Sequence, residues 1–328
     1  MHTPMNWNGK KILITGINGF IGSHLARTLL DSGAVVHGIS RKADKWPYLE
    51  SQSLIGHVKV HHADLLDFSA IESIVQSHQW DAIFHLASQP ETNYSIQHPL
   101  ETIQTNVMGT VNLLESIRLH TPQTPFVLGG SIRAFGAGNK EGESIHPYDA
   151  SKEAMESIAQ SYFREYHLRG AIAKNTNIYG PNDFRFTRLI PMIMHGIFSG
   201  ENVSLYGDGT IKRDFMYVKD AVQGLLLLAH GLTQKNELGG KTFLFATGRM
   251  IEIRDIVKII EKASPQKTTI TFNQQLTRHE RELPSLSEEL AQTHNTLGWK
   301  PTHSLEEGMR ETLQGYQQYF SSHTEAKK

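Results

Sequence analysis

Ile12-Leu13-Ile14-Thr15-Gly16-Ile17-Asn18-Gly19-Phe20-Ile21-Gly22 decides the fold. A short apolar run ends at a glycine turn, and helical spacing over residues 21–32 begins at once. Gly16 permits the tight turn, Gly19 leaves no side chain between the backbone and an approaching pyrophosphate, and Gly22 lets helix and strand pack closely. The first N–H groups of that helix, and the positive end of its dipole, face the anion. Asn18, Phe20 and Ile21 lie in the same turn and complete a dinucleotide cradle. The spacing is Gly-x-x-Gly-x-x-Gly rather than Gly-x-Gly-x-x-Gly. What gives it weight is its position directly after the first apolar strand.

Working outward, strand-like runs are expected over residues 11–15, 35–40, 58–61, 82–86, 125–129 and 171–175, which complete the set. Helical patterns fall between them over 68–78, 100–120 and 148–167. Strands alternating with helices predict an α/β fold, a doubly wound parallel Rossmann sheet covered on both faces. Right-handed crossovers put the C-terminal ends of all its strands on one edge, where ligands bind. After about residue 176 the rhythm breaks, with turn signals at Tyr179-Gly180-Pro181-Asn182-Asp183 and Gly207-Asp208-Gly209. The division expected is an NAD(P)-binding domain over 1–176 that also receives about 211–247, and a smaller, partly interleaved substrate domain mainly over 177–328.

Composition narrows the function classes. The 328 residues are 39% apolar, enough for a sizeable core, and the net charge of −1 gives no basic excess for nucleic acid. With no cysteine, thiolate nucleophiles, disulfides and cysteine-ligated metals are excluded. Residues 1–8 lack the apolar core of a signal peptide, and the longest apolar run, over 225–229, is far short of a membrane span. The expectation is a cytoplasmic protein without nucleic-acid or membrane partners.

The second strand ends Ile39-Ser40-Arg41-Lys42, where NAD-specific folds often carry a carboxylate for the ribose hydroxyls. Ser40 stands there instead, and Arg41 suits a 2′-phosphate, so NADP is favoured and NAD remains possible. Asp64 follows the third strand and is placed to accept from the adenine amino group. Leu65, and Leu86 and Ala87 after the fourth strand, line the same edge. His57, His61 and His62 lack a carboxylate or cysteine framework and are not read as a metal site. Tyr148-Asp149-Ala150-Ser151-Lys152 opens a long helix, and residues four apart share one helix face. An ammonium at Lys152 stabilises a phenolate at Tyr148, which makes Tyr148 a general acid/base for a carbinol or ketone, while Lys152 also suits the nicotinamide ribose. Ser131 follows the fifth strand and is placed to hydrogen-bond the same substrate oxygen.

These features together resemble the extended short-chain dehydrogenase/reductase family, which contains nucleotide-sugar epimerases and dehydratases. The likeness runs along nearly the whole chain. It covers the three glycines, His85-Leu86-Ala87-Ser88-Gln89-Pro90, Tyr148 to Lys152 and Asn177-Ile178-Tyr179-Gly180-Pro181. It continues through Arg213-Asp214-Phe215-Met216-Tyr217-Val218-Lys219-Asp220, Leu297-Gly298-Trp299-Lys300-Pro301 and Ser304-Leu305-Glu306-Glu307-Gly308. Ala87 to Pro90, Thr105-Asn106-Val107-Met108-Gly109-Thr110 and Arg188-Leu189-Ile190-Pro191 look most like CDP-glucose 4,6-dehydratases. The resemblance implies a nucleotide-sugar substrate, with Asn177 at the diphosphate, Arg213 near the nucleotide, and a further arginine at Arg278 or Arg281. Gln89, Glu91, Arg133 and Arg188 join that substrate set. It also implies a homodimer built on two long helices.

The chain departs from that pattern at two places. Dehydratases of the family follow the catalytic Ser/Thr with an acid and then a base, whereas Ser131 is followed by Ile132 and Arg133. Ile132 cannot protonate a leaving hydroxyl, and Arg133 stays protonated. Tyr148 also follows Ser131 by only 17 positions, and Gly129-Gly130 replaces a hydroxyl-rich strand end. The expected activity is epimerisation or reduction of a nucleotide sugar. A 4,6-dehydratase with rearranged acid–base groups, with Glu91 as a candidate substitute, is the alternative. A non-catalytic NADP sensor is disfavoured by the intact Tyr148 and Lys152.

Overall fold

The computed structural model describes residues 5–41, 47–134, 146–274 and 286–325. Its strands are β1 Lys11–Thr15, β2 Val35–Ser40, β3 Lys59–His62, β4 Ala82–His85, β5 Phe126–Ser131, β6 Gly170–Asn175, β7 Asn177–Tyr179, β8 Val203–Tyr206, β9 Lys212–Tyr217, β10 Thr242–Phe245, β11 Met250–Glu252 and β12 Ile270–Asn273. The helices used below are α1 Phe20–Asp31, α2 Pro47–Ser51, α3 Phe68–Gln76, α4 Thr92–Gln97, α5 Pro99–Ile103, α6 Gly109–His120, α7 Pro147–Glu165 and α8 Leu189–Ser199. Among the described residues no helix is long and apolar enough to cross a membrane.

The described residues form two compact units. The first comprises those within Met1–Asn175, Val222–Phe245 and Arg281–Trp299, and the second those within Thr176–Ala221, Ala246–Glu280 and Lys300–Lys328. The first holds a seven-stranded parallel sheet in the order β3-β2-β1-β4-β5-β6-β10. Ile12, Leu13 and Ile14 are all fully buried, which explains why β1 is a continuous apolar run instead of an alternating one: helices cover both faces. Leu13, Ile83, Phe126 and Ile172 from the strands pack against Ile71, Leu113, Met155 and Phe163 from α3, α6 and α7.

Two sequence expectations need correcting. The six strands read from the alternating half do not complete the sheet. β10 adds a seventh, pairing with β6 at Phe243↔Ala173 and Leu244↔Lys174. It was missed because its four residues arrive after the strand–helix rhythm has ended. The single helix expected over 100–120 is interrupted by one π-helical turn, Gln104–Met108, between α5 and α6. Such a turn inserts a residue and redirects one side chain; here Asn106 is turned fully into the interior.

The second unit has a three-stranded sheet, β11-β9-β7, and a parallel pair, β12-β8. Asp214 on β9 is buried and its carboxylate accepts the N–H groups of Thr247 and Gly248, at 3.1 and 2.7 Å, fixing the chain ahead of β11.

Candidate active site

β1, β4 and β5 end at Thr15, His85 and Ser131, and because all are parallel these residues share one sheet edge. Gly16 leaves β1 at φ +71°, in the left-handed region, and a Cβ there would lie 2.7 Å from the amide nitrogen of Ala87. A Cβ on Gly22 would collide with the carbonyl oxygen of Gly16. Gly19 is the N-cap of α1, in extended backbone with no side chain capping the helix. No N-cap side chain therefore competes for the N-terminal N–H groups of α1, as suits an anion cradle. These residues fit a dinucleotide pyrophosphate.

Behind the turn runs a chain of buried hydrogen bonds whose directions follow from its ends. Thr110 Oγ1 donates to the Asn106 carbonyl, so it accepts from His85 Nε2 at 2.9 Å. Neutral His85 then carries its proton on Nε2, and Nδ1 accepts from Thr15 Oγ1 at 2.6 Å. Thr15 Oγ1 in turn accepts the Ala87 N–H at 3.2 Å. Complete burial, helped by the charge of Lys152, pushes the His85 pKa down to about 3, in keeping with a neutral ring. On the other side, Asn106 clamps the Gln89 peptide, accepting its N–H at 2.7 Å and donating to its carbonyl at 3.1 Å. It also donates to Ser151 Oγ at 2.8 Å, and Ser151 donates to the Tyr148 carbonyl at 2.8 Å. One hydrogen-bonded path therefore joins the glycine turn to the first turn of α7.

α7 begins with Pro147 at its first helical position, where a missing N–H is harmless. Tyr148 follows, 8% exposed, and Lys152, 4% exposed, lies one turn on along the same face. Lys152 Nζ donates to the Gly129 carbonyl at 3.2 Å. Burial pushes the Lys152 pKa down to about 8, against the opposing pull of Glu156. Ser131 is buried, its N–H held by Glu156 Oε1 at 3.0 Å.

The other sequence candidates are placed as follows. Arg41 at the end of β2 lies 3.9 Å from Asp64, both half-exposed, and Ser40 ends the same strand. Asp64 also holds the Leu66 N–H at 2.9 Å. Leu86 N–H donates to the Thr15 carbonyl, and buried Leu65 accepts from Asn112 through its own carbonyl. The Gln89 side chain closes a turn on Glu91, accepting its N–H at 2.7 Å, and Glu91 forms the N-cap of α4. In the second unit, Asn177 donates to the Asp214 carbonyl at 3.0 Å, and Arg188, the N-cap of α8, pairs with buried Asp183 at 3.2 Å. Arg213 donates to the Lys212 carbonyl at 2.8 Å. Arg278 and Arg281 lie outside the described residues.

Residues 13–312 match the family described as GDP-mannose 4,6 dehydratase. The chain belongs to that family. Curated relatives include a dTDP-glucose 4,6-dehydratase of Haemophilus influenzae, 29% identical over 93% of this chain and 97% of that protein. A UDP-glucuronate 4-epimerase of Thermodesulfobacterium geofontis is 27% identical over 92% and 94%. Among solved structures, a UDP-glucuronic acid 4-epimerase from Bacillus cereus, in complex with UDP-glucuronic acid and NAD, superposes with a TM-score of 0.80 at 25% identity, covering 94% of this chain and 99% of that one.

In this member of the GDP-mannose 4,6 dehydratase family, the two residues after Ser131 are tightly held. Ile132 is buried. Arg133 forks onto Asp149, with Nε to Oδ1 at 2.7 Å and Nη2 to Oδ2 at 3.0 Å, and its N–H donates to Ser131 Oγ at 3.2 Å. The guanidinium is thereby fixed beside the residue that follows Tyr148. Sequence reasoning missed Asp149 as its partner, and missed Glu156, Lys174 and the orienting role of Asn106. The available signals were a carboxylate eight positions beyond Tyr148 on one helix face, and an asparagine noted only as part of a family-like stretch.

Proposed function

We propose that this protein epimerises a nucleotide sugar, or reduces a nucleotide-linked keto-sugar, by hydride transfer with a bound nicotinamide dinucleotide. The observation that carries this reading over elimination is the Arg133–Asp149 fork beside buried Ile132. Removing water from C5–C6 needs an acid and a base, together worth about 10² to 10⁴ or more in rate, and a guanidinium tied to a carboxylate supplies neither. The runner-up, a 4,6-dehydratase with atypical acid–base groups such as Glu91, is favoured by the family and by the names of several relatives.

In this reading Tyr148 takes the proton of the carbinol hydroxyl and returns it to the ketone. Lys152 stabilises the phenolate and holds the nicotinamide ribose, and Ser131 hydrogen-bonds the reacting oxygen. The bound dinucleotide supplies the hydride acceptor and donor. Gly16, Gly19 and Gly22, with Asn18, Phe20 and Ile21, hold its pyrophosphate, while Leu65, Leu86 and Ala87 line its path. Arg41 beside Asp64, with Ser40 in place of a carboxylate, favours NADP. Asn177 contacts the nucleotide diphosphate, Arg213 lies near the nucleotide, and Gln89, Glu91, Arg133 and Arg188 join the substrate set. A homodimer on the α4–α6 face fits the exposure of Ile96, Leu100, Ile103 and Met108 there, Leu100 being 68% exposed. A cytoplasmic setting accords with the absence of cysteine.

Incubation with CDP-, GDP-, UDP- and dTDP-sugars, and with their 4-keto forms plus NADPH, followed by mass spectrometry and NMR, tests the reading. Unchanged mass with altered couplings means epimerisation, and a gain of two hydrogens means reduction. Loss of water would sink the reading in favour of the runner-up. Tyr148→Phe is expected to lower kcat by roughly 10² to 10⁴ without changing the fold. Wild-type turnover by that variant would remove the catalytic assignment.

A further inference from the structure

β5 carries two glycines, Gly129 and Gly130, just before its last residue, a poor choice for a buried strand unless something occupies the side-chain space. At Gly130 the occupant is Glu156. A Cβ there would lie 2.6 Å from Glu156 Oε1 and 2.9 Å from Ile172 Cγ2. The Glu156 carboxylate is 5% exposed, accepts the Ser131 N–H through Oε1, and pairs through Oε2 with Lys174 at 2.9 Å, itself 8% exposed. Glu156 stands one turn beyond Lys152 and two beyond Tyr148 on α7. The groups facing Lys152 are Tyr148 and Glu156 from its own helix, the Gly129 carbonyl from β5 and neutral His85 from β4, with Lys174 on β6 reached through Glu156. Among the described residues, Glu156 is the anion whose charge acts on Lys152.

We infer that Glu156, backed by Lys174, is a positioning residue that fixes Ser131 through its amide and supplies the counter-charge that keeps Lys152 an ammonium. A buried ion pair is weak evidence for stability, since apolar residues of similar volume often do as well. The placement of this pair under Ser131 and Lys152 points to the reacting groups instead. Burial alone drives Lys152 toward its neutral amine, which no longer stabilises a phenolate, and Glu156 opposes that drift. Burial likewise raises the Glu156 pKa, while Lys174 and the Ser131 N–H hold it down, so the carboxylate depends on both partners for its charge. The inference rests on the reading that Ser131, Tyr148 and Lys152 carry the chemistry.

The test combines two readouts. Lysine labelled with ¹³C at Cε, in the protein without added ligand, reports the titration of Lys152 directly, assigned by its loss in Lys152→Met. The pH profile of kcat on the nucleotide sugar turned over reports its consequence. In the wild type the Lys152 signal is expected to titrate near 8 and the alkaline limb of kcat to follow it. In Glu156→Gln both are expected to move down by about one to two pH units, with kcat at pH 7 reduced roughly twofold for the smaller shift and roughly tenfold for the larger, and KM little changed. Glu156→Asp keeps the charge but shortens the reach to Ser131, so its kcat falls while the alkaline limb stays in place. Gly130→Ala pushes the carboxylate away from the Ser131 N–H while leaving its charge, and is expected to behave as Glu156→Asp does. Glu156→Gln/Lys174→Met avoids stranding the Lys174 ammonium and covers the case in which Glu156→Gln alone fails to fold. An unmoved Lys152 midpoint in the double variant overturns the inference whatever the activity. Full turnover by Tyr148→Phe would instead overturn the catalytic reading, so the two failures are distinguishable.

Discussion

Replacing Asn106 with alanine removes three hydrogen bonds from a side chain with no solvent exposure. The Gln89 N–H and carbonyl lose their partners, and Ser151 Oγ loses a donor while still donating to Tyr148. A buried polar group left unsatisfied costs about 1–3 kcal/mol. Gln89 is only half-buried and can recover water, so the lower end applies to its two groups. The total is about 2–4 kcal/mol, and at roughly 2–3 °C per kcal/mol for a unit of this size the melting temperature falls by roughly 5–10 °C. Asn106→Asp refines the test. One oxygen still accepts the Gln89 N–H, but the other now faces the Gln89 carbonyl and needs a proton to donate as the amide did. The folded state of that variant thus binds a proton more tightly than the unfolded chain, near 3.9 when unperturbed, and its deficit relative to wild type shrinks as the pH falls from 7 toward 5. Scanning calorimetry of the three proteins at both pH values measures each quantity. A melting temperature for Asn106→Ala within 1–2 °C of wild type, or a pH-independent gap for Asn106→Asp, would refute the clamp.

Three further outcomes are expected. His37 is buried beside His61, with Nδ1 and Nε2 3.0 Å apart, and burial, then the charges of His78 and His61, then those of Lys59 and Lys11, push its pKa down to about 4. Between that value and about 6.5 the unfolded chain binds the extra proton, so stability falls with decreasing pH, by about 2 kcal/mol from pH 7 to 5 for this group alone; denaturant midpoints should show the slope, and His37→Gln should flatten it by about one proton. Arg41→Ala is expected to weaken NADPH binding roughly tenfold and NADH binding little, measured by fluorescence titration, and equal losses would end the case for NADP. Leu100→Glu should convert a dimer to monomers in light scattering, and an unchanged mass would place the interface elsewhere.

The fold was legible where one element spoke for itself. β1, the glycine turn and α1 were readable because Ile12 to Ile14 are buried on both faces and Gly19 and Gly22 answer to the Gly16 carbonyl a few residues away. β10 was hidden because its place in the sheet depends on β6, some seventy residues earlier, and nothing within its own four residues signals that. The π-helical turn was equally silent, since Asn106 is drawn inward by Gln89 and Ser151, partners remote in sequence. Tyr148 and Lys152 could be paired by helical spacing alone. The same spacing extends to Glu156, yet only the space above Gly130 reveals what that carboxylate touches.

The fork between Arg133 and Asp149 also governs how this chain can change. A carboxylate introduced at 133 alone would oppose the carboxylate of Asp149, beside Tyr148. Removing Asp149 alone would strand a guanidinium whose side chain is two-thirds sheltered from water. Each single step is worse than either end state, so a lineage that alters one residue must alter the other nearly at once. Charge reversal here is therefore an epistatic step, and grafting an acid–base pair after Ser131 in the laboratory will fail unless position 149 is changed with it.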